Sequence, residues 1–266
     1  MTHLSGMVIA KNEAKRIGAC LDSLAFCDEL VLIDSGSTDG TIEIAKSMGA
    51  VVIERAWGGM NDQKDFGRQQ SKGVWVLNLD ADEVVTPELR AEIEALVARD
   101  DPMSAYRIPF RNHYRESWVK RCGYYPDPHI RLVRRDRAYW DKAIPAHDHV
   151  VVDGEIGLLS GHIDHFSFDS MDHYLRKSSG YAEAFARDAL AKGRRSGPLA
   201  ILIHTAFRFF KAYVLKGGFL EGSLGLTISG LQAIQAFQKY VRLWELQTER
   251  EVADQHLRTG TGTDHR

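Results

Sequence analysis

Short apolar runs alternate with helical patterns from Leu4 to about Phe110, and this alternation is the feature that most restricts the fold. Repeated strand–helix units predict a parallel sheet with helices on both of its faces. The runs are rich in Val, Ile and Leu and lack polar alternation, which is typical of strands buried on both sides. The predicted strands are Leu4–Ala10, Leu30–Asp34, Ala50–Glu54 and Val74–Asp80, and the predicted helices are Ala14–Leu24, 39–48, 62–71 and Thr86–Ala98. We therefore expect an α/β fold with a mostly parallel sheet.

The rest of the chain divides into two further stretches and a tail. Between residues 101 and 168 the helical pattern fades, and short β-like runs mix with aromatic, His, Pro and basic residues. From Ser170 onward the pattern is helical again, and residues 257–266 are a polar tail that we expect to be frayed. We predict one domain over residues 1–168, with halves at 1–100 and 101–168, followed by a helical region over 169–256.

Composition excludes several classes of protein. Of the 266 residues, 44% are hydrophobic and 26% are charged, which is the balance of a globular protein and not of a disordered chain or a coiled coil. The formal net charge of −2 predicts no general attraction to nucleic acid. Three cysteines without a C-x-x-C spacing favour free thiols in a reducing compartment over a zinc site. The first residues have neither a basic nor a long apolar region, so we expect no secretion signal.

Carboxylates follow two of the predicted strands directly. Asp34 ends the second strand and Asp80 ends the fourth, at the edge where open α/β sheets bind their ligands. In an extended segment Asp80 and Asp82 point the same way, and two oxygen donors so placed suit Mg²⁺ or Mn²⁺ carrying a diphosphate. The alternative is a polar turn whose acidic residues only stabilise the start of the next helix. A D-x-D pattern by itself does not separate the two.

Three segments, taken together, are more specific than that pattern. They are Ile9-Ala-Lys-Asn-Glu13, Asp34-Ser-Gly-Ser-Thr-Asp-Gly-Thr41 and Leu79-Asp-Ala-Asp-Glu83. In this order they resemble the inverting glycosyltransferases of family 2, whose nucleotide-sugar-binding α/β domain has the GT-A fold. Downstream segments, among them Arg131-Leu-Val-Arg-Arg135 and His165-Phe-Ser167, resemble the lipopolysaccharide-core β-1,4-glucosyltransferase branch. The resemblance implies a UDP-sugar donor, often UDP-glucose, and a heptose acceptor on a lipid-linked core.

The resemblance implies a nucleotide-binding set in the first half of the domain. Ala10 and Glu13 are implied to line the nucleoside pocket, and Asp34 to bind the uracil. Lys64 occupies the place of a cationic residue that contacts the nucleotide. Asp80 is implied to contact the ribose and metal-bound water.

The resemblance also implies a metal site and an acceptor site. Asp82 is implied to ligate Mg²⁺ or Mn²⁺ directly, with Asp80 beside it and His165 as a further metal or diphosphate contact. Arg131 and His147 are the expected acceptor-binding residues, because an arginine is well shaped to hold an acceptor phosphate and His147 belongs to a segment typical of the branch.

An inverting transfer needs one general base on the acceptor side and no enzyme nucleophile. Relatives often carry His-Glu where this chain has His147-Asp148, so we expect Asp148 to be the base. Its carboxylate is one methylene shorter than that of a glutamate. Other carboxylates of the second half stay open as alternatives, namely Asp127, Asp136, Asp141 and Asp153.

The helical region has a stretch that is typical of a membrane surface. From Arg194 to Phe219 the chain combines basic residues with many large apolar ones and has no acidic residue. We expect peripheral docking on an anionic membrane, at the cytoplasmic face of a bacterial inner membrane, with plain packing as the alternative. No run of about 20 apolar residues is present, so a spanning helix is not expected. A later helix with an apolar face at Ile228, Leu231 and Ile234 is expected to be core or an oligomer contact.

Two other functions are compatible with part of the pattern. Asp80-Ala-Asp-Glu-Val84 matches the motif of haloacid-dehalogenase-type phosphatases, with Asp80 as nucleophile and Asp82 as acid/base. That motif belongs on the first strand, whereas here three strand–helix units precede it. The second alternative is a non-catalytic scaffold that binds sugar or membrane.

Overall fold

The computed structural model describes residues 3–99, 101–143 and 148–260. Its strands are β1 Leu4–Ala10, β2 Glu29–Asp34, β3 Val51–Glu54, β4 Trp75–Asp80, β5 Glu83–Val85, β6 Ala105–Tyr114, β7 Ser117–Trp118, β8 Pro128–Arg134, β9 Ala138–Trp140, β10 Val150–Val152, β11 Ile156–Leu158 and β12 Ile163–Phe168. Its α-helices are α1 Ile17–Ser23, α2 Thr41–Ser47, α3 Met60–Gln70, α4 Pro87–Val97, α5 Met171–Ala191, α6 Pro198–Phe210 and α7 Gly222–Gly260.

The chain forms two compact units. The first contains the residues up to 113 together with 125–167, and the second contains 114–124 together with the residues from 168 onward. Residues 114–124 had been grouped with the stretch 101–168 from the sequence, but they pack with the C-terminal helices. The hydrophobic pattern of the sequence does not reveal this grouping, because the segment 114–124 is short and has no helical periodicity.

The first unit is built on a mixed sheet with the order β3-β2-β1-β4-β8-β6-β12-β5. The four strands β3, β2, β1 and β4 run parallel, and β8 pairs antiparallel with β4 and with β6. The register places Ala10 opposite Asp34 and Ile9 opposite Asp80. The carboxyl ends of β1, β2 and β4 therefore lie side by side, as predicted.

Helices cover both faces of this sheet. Alternate residues of β1 point to opposite faces, so this strand contributes to a core on each side. Leu4 and Val8 join a core with residues of α1, α2 and α4, whereas Met7 lies in a second core on the other face. Helix α3 packs on that second face through Gly67, where a Cβ would come within 2.7 Å of Met7 Sδ. The predicted α/β class with helices on both faces is confirmed.

The second unit is helical. Helices α5 and α6 both pack on the long helix α7, and α6 continues into a π-helical turn at Lys211–Leu215. Ile228 and Leu231 of α7 are buried in its core, as expected from their spacing. Helix α7 continues to Gly260, so the part of the predicted tail up to that residue is helical, and residues 261–266 lie outside the described residues.

One stretch of the second unit leaves its apolar residues outside the core. Residues Pro198–Leu215 have a mean hydropathy of 1.3 and only 6% of the stretch is buried. By length and composition it is the one helical stretch in the described part of the chain that could cross a membrane, although no such stretch was expected from the sequence. Its exposed large side chains are Leu199, Leu202, Ile203, Phe207, Phe210, Val214 and Leu215.

Candidate active site

The loop after β2 is organised around the buried carboxylate of Asp34. Oδ1 accepts hydrogen bonds from the backbone N–H groups of Gly36 (2.9 Å) and Ser37 (2.7 Å), and Oδ2 accepts one from the Ser37 hydroxyl (2.5 Å). A carboxylate has about four acceptor positions, so three of them serve the loop itself. Asp34 therefore stabilises the loop at the strand end. The sequence predicted only a contact with uracil for this residue and not this structural role.

The loop after β1 is tied to the loop after β2. Asn12 has a positive φ of 57°, a conformation that asparagine tolerates better than most residues. Its N–H donates to the Ser37 hydroxyl (2.8 Å), and its Oδ1 accepts from the N–H of Thr38 (2.8 Å). The N–H of Glu13 donates to Thr41 Oγ1 (2.8 Å). Ala10 and Glu13 are thus held next to the Asp34 loop, and the role of Asn12 was missed from the sequence.

Five charged side chains form a cluster at the carboxyl end of β4. Lys64 of α3 is fully buried, and its Nζ lies 3.0 Å from Asp80 Oδ1 and 2.8 Å from Asp148 Oδ2. Arg131 of β8 contacts Asp80 Oδ2 (3.0 Å), Glu83 Oε1 (2.5 Å) and Asp148 Oδ2 (2.5 Å). Two cations therefore hold three carboxylates. Lys64, Asp80 and Asp148 come together as site residues, and Glu83 was missed because it was read only as the end of the D-x-D segment.

The cations control the protonation of these carboxylates. Burial acts to raise the pKa of Asp80, but the charges of Lys64 and Arg131 outweigh it and lower the pKa to about 2. Asp148 follows the same pattern, with burial opposed by Lys64 and Arg131 and a lowered pKa as the result. For Glu83 burial dominates and raises the pKa. At neutral pH Asp80 and Asp148 are therefore ionised.

Asp148 is held by a third group besides the two cations. The indole Nε1–H of Trp140 donates to Asp148 Oδ1 at 2.7 Å, while Oδ2 receives Lys64 and Arg131. The side chain remains 24% exposed. Three of its acceptor positions are occupied, which leaves about one for an incoming hydroxyl. Trp140 was also missed, and its only sequence signal is a large aromatic at the end of a basic run.

Helix α3 supports this arrangement with buried polar side chains. Asn61 accepts from the N–H of His149 (3.1 Å) and donates to the carbonyl of Asp141 (3.1 Å). Gln63 donates to the carbonyls of Arg55 (3.1 Å) and Ala56 (3.0 Å). The helix therefore fixes the chain on both sides of Asp148 and also supplies Lys64.

Asp82 and His165 form a pair that suits a cation. Asn112 Nδ2 donates to Asp127 Oδ2 (3.2 Å), which directs Asn112 Oδ1 to His165 Nδ1 (2.8 Å). His165 Nδ1 also lies 3.0 Å from the Ser167 hydroxyl, and its Nε2 lies 3.5 Å from Asp82 Oδ2. With the hydrogen on Nδ1, Nε2 presents its lone pair towards Asp82, and with both nitrogens protonated the two side chains form an ion pair. Two acceptors facing each other need a proton or a metal ion between them. The Asn112 bond is the kind of supporting contact that orients a metal-ligating histidine.

The predicted metal ligands have different partners in the structure. Within the described residues no three His, Cys, Asp or Glu side chains are gathered as a metal-binding group. Asp80 contacts Lys64 and Arg131, whereas Asp82 contacts His165. Of the predicted set of Asp80, Asp82 and His165, the last two are therefore the ones that pair with each other. Mg²⁺ commonly takes one or two protein ligands and completes its shell with water and phosphate oxygens, so the pair fits such an ion.

The predicted acceptor residues have different outcomes. Arg131 is 4% exposed and surrounded by carboxylates, so it positions the charge cluster and is not available to hold an acceptor phosphate. His147 lies outside the described residues. Asp127, an alternative base, is bound to His129 at 3.0 Å and to Asn112, and these hydrogen bonds hold its pKa below the usual range.

Comparison with known proteins identifies the family. The model of the family described as glycosyl transferase family 2 matches residues 5–149, more than half of the chain. The chain belongs to glycosyltransferase family 2. The match spans all three of the segments on which the resemblance was based.

Relatives within the family are similar over most of their length. An uncharacterized glycosyltransferase of Rickettsia typhi is 32% identical over 257 residues, which is 92% of this chain and 88% of the relative. The lipopolysaccharide core biosynthesis glycosyltransferase LpsC of Rhizobium meliloti is 29% identical over 255 residues, 89% of this chain and 93% of the relative. Among solved structures, S. aureus TarS 1-349 in complex with UDP-GlcNAc is 17% identical, with a TM-score of 0.48, and covers 88% of this chain and 81% of that one.

Family membership also decides between the alternatives left open by the sequence. The phosphatase alternative receives no support, because the family model is that of a glycosyltransferase and Asp80 lies on the fourth strand in ion pairs with Lys64 and Arg131. The chain is a family 2 glycosyltransferase, so the non-catalytic scaffold is not retained either.

Proposed function

We propose that this enzyme transfers glucose from UDP-glucose to a heptose of the lipopolysaccharide inner core, with inversion at the anomeric carbon and with Mg²⁺ or Mn²⁺. The single observation that carries the proposal is the gathering of Asp80, Asp148 and Lys64 at the carboxyl end of β4, next to the Asp34 loop. The similarity to LpsC over most of both chains supports the acceptor class. The sugar and the heptose follow from the resemblance to the β-1,4-glucosyltransferase branch.

The donor is proposed to bind along the ends of β1, β2 and β4. Ala10 and Glu13 line the nucleoside, and the Asp34 loop faces the uracil. Rotation of the Ser37 hydroxyl would free Asp34 Oδ2 to accept from the uracil N–H. Asp80 contacts the ribose, and Lys64 contacts the diphosphate. Lys64 is fully buried between Asp80 and Asp148, so this contact requires that a phosphate oxygen replaces one of the two carboxylates when the donor binds.

The metal ion is proposed to be held by Asp82 and His165. When bound, a divalent cation supplies Lewis-acid stabilisation of the charge that develops on the leaving diphosphate. Asp82 and His165 would hold this cation, and Asn112, which is itself bound to Asp127, orients the imidazole.

Asp148 is proposed to be the general base. Its lowered pKa keeps it ionised at neutral pH, as a base must be, and one acceptor position remains for the acceptor hydroxyl. The proton moves from that hydroxyl to Asp148 while the hydroxyl oxygen bonds to the anomeric carbon and the bond to the diphosphate breaks. Trp140 and Arg131 hold the carboxylate in position throughout.

The second unit is proposed to bring the enzyme to its lipid-linked acceptor. The exposed apolar side chains of α6, together with Arg208, Lys211 and Lys216, suit the headgroup region of an anionic membrane at the cytoplasmic face of the inner membrane. A surface of this kind can also support an oligomer.

Donor and acceptor screens test the proposal. Thermal shift with UDP, GDP and ADP, each with and without Mn²⁺, is expected to give the largest stabilisation for UDP with Mn²⁺. Transfer from radiolabelled UDP-glucose to a core truncated after heptose should then follow. Stabilisation by another nucleotide alone, or transfer only to an acceptor that lacks heptose, would contradict the proposal.

A further inference from the structure

A basin between α6 and α7 of the second unit collects positive charge without any carboxylate. It has a volume of about 300 Å³, and its lining includes Arg208 of α6, Lys211 of the π-helical turn that follows α6, and Lys239 of α7. Phe185 is the lining residue contributed by α5, so none of the three helices places an acidic residue in the basin. Among the described residues no carboxylate forms an ion pair with any of these three cations.

Neighbouring acidic residues are already paired elsewhere. Glu183 of α5 contacts Arg242 and Arg187 and lines a different cavity. Burial and the charge of Arg208 together lower the pKa of Lys239, as expected where two cations lie close without an anion between them. The basin therefore keeps a local positive potential that intramolecular contacts do not neutralise.

The other side chains of the basin add shape and hydrogen-bonding groups. The rings of His204 and Tyr240 stack with their centroids 3.9 Å apart and their planes 4° from parallel, so one wall is flat and rigid. Gln235 of α7 adds an amide group to the lining of the basin. The ammonium group of Lys239 lies 5.5 Å from the centroid of the Phe185 ring, a cation–π contact with another lining residue. An arginine and two lysines around such a wall match a doubly charged tetrahedral anion.

We propose that the α6–α7 basin is a binding site for a phosphate monoester, separate from the donor site of the first unit. The same helix α6 exposes Leu199, Leu202 and Phe210, which would bring the basin to the level of a headgroup layer. The phosphate can belong to a lipid headgroup or to a soluble sugar phosphate, and both carry the chemistry that the three cations recognise. The site does not depend on the proposed donor or acceptor.

A pair of charge-matched variants of the full chain tests the basin. R208Q/K239Q removes two cations from it, and K192Q/R194Q removes two exposed cations from the same unit outside it. Binding is measured by sedimentation with phosphatidylcholine vesicles that contain either phosphatidic acid, a monoester, or phosphatidylglycerol, a diester, at matched surface potential. We expect R208Q/K239Q to lose at least tenfold more affinity for phosphatidic acid vesicles than K192Q/R194Q, and the difference to shrink on phosphatidylglycerol.

Soluble probes distinguish the source of the phosphate. Titration calorimetry with inorganic phosphate and with glucose 6-phosphate is carried out on the same proteins. Binding of either by the wild type, lost in R208Q/K239Q, indicates a soluble ligand, and selective binding to the monoester vesicles alone indicates a lipid. Equal losses in the two variants, or no preference of the wild type for monoester over diester together with no soluble binding, would overturn the proposal. Unchanged stabilisation by UDP in both variants shows that the first unit is intact, so failure of the basin is distinguishable from failure of the donor site.

Discussion

At the scale of single residues, the site is defined by how many partners each charged group has. Asp148 receives Trp140, Lys64 and Arg131, and Asp80 receives the two cations. Asp80, which has two cationic partners, stays charged, whereas for Glu83, whose ion pair is with Arg131, burial dominates and raises the pKa. Cationic partners and burial together therefore give different pKa values to carboxylates that the sequence does not distinguish.

Replacing Asp82 with alanine should remove the metal-dependent part of donor binding. The expected result is loss of sugar transfer and loss of the additional thermal stabilisation by UDP that Mn²⁺ supplies, while stabilisation by UDP alone remains. Addition of EDTA to the wild type should reproduce the same loss. Asp22→Ala on α1 provides a control aspartate outside the site, and full activity of a folded Asp82→Ala variant would contradict the metal assignment.

Replacing Asp148 with asparagine should lower turnover about 10²–10⁴-fold, the usual contribution of a general base. The amide keeps the shape and can still accept from Trp140, but its NH2 group would face the donors Lys64 and Arg131, so the unfolding free energy should fall. The binding of UDP, which Asp148 is not proposed to contact, should change little. Steady-state kinetics and calorimetry with UDP provide the two measurements. A variant that loses UDP binding would place Asp148 in the donor pocket, and near-normal turnover would move the role of base to another carboxylate such as Asp127.

At the scale of elements, α3 is unusual because the side it buries is polar. Asn61, Gln63, Lys64 and Asp65 are all buried, and their hydrogen bonds and ion pairs reach the segments around β3 and β9 and residue 148. Buried polar groups are tolerated where they are paired. The paired polar side chains of α3 take the place of apolar packing and fix the helix relative to Asp148. Close contact with the sheet depends on Gly67.

Replacing Gly67 with alanine should move α3 and disturb the site from a distance. Its Cβ would lie 2.7 Å from Met7 Sδ and 3.0 Å from Ile33 Cγ1, and overpacking of this kind costs about 1–3 kcal/mol of unfolding free energy. Gly18→Ala on α1 is the matched control, because its nearest neighbour is 3.8 Å away. We expect that control to be neutral or stabilising by up to about 1 kcal/mol. Urea unfolding of both variants measures the difference, and equal stabilities would show that α3 is not tightly packed there.

The exposed face of α6 should decide binding to membranes. In the variant Leu199→Gln/Leu202→Gln, two apolar side chains would no longer enter the headgroup layer, each worth about 1.5–3 kcal/mol when fully buried. We expect at least a tenfold loss of binding to anionic vesicles in a sedimentation assay. Val51→Gln/Trp57→Gln removes two apolar residues of the first unit that are also more than half exposed and should have no effect. If the control loses as much as the α6 variant, the face is not the docking surface.

At the scale of the whole molecule, the charged cluster links stability to pH. The pKa of Asp80 is about 2 in the folded protein, below the ordinary value of about 3.9 for an aspartate. A lowered pKa means that the stabilisation is present above about pH 4 and is lost as the pH falls towards 2. The raised pKa of Glu83 acts in the opposite direction, because ionising it in a buried place opposes folding as the pH rises.

The replacement Asp80→Asn should therefore destabilise the protein in a pH-dependent way. At pH 7 the loss of unfolding free energy should be about 2 kcal/mol, and the difference from the wild type should shrink as the pH falls towards 2. Urea unfolding at pH 7, 5, 4 and 3 measures this trend. Asp188→Asn, which removes an exposed ion pair with Lys192, should show little effect at any pH. A difference between Asp80→Asn and wild type that does not change with pH would mean that Asp80 is not held ionised by its cations.

The sequence by itself determined the order of the four parallel strands and four helices between Leu4 and Ala98, and the edge at which the chemistry lies. Hydrophobic period and turn residues are local properties, and Thr86 shows how directly they act, since its hydroxyl accepts from the N–H of Leu89 at the predicted start of α4. The family could be inferred for the same reason. Three short segments at strand ends carry it, and each is contiguous in the chain.

Only the tertiary structure decided which charged groups meet. Lys64 and Asp148 are 84 positions apart, and Arg131 joins Asp80 across 51 positions. Such pairs depend on strand register and on the burial of α3 against the sheet, which no local pattern encodes. For this reason Arg131, expected at the acceptor, lies inside the charge cluster, and Asn112 beside His165 was not foreseen. An ionisable side chain acquires its role from its partners and its desolvation, and both exist only after the chain has folded.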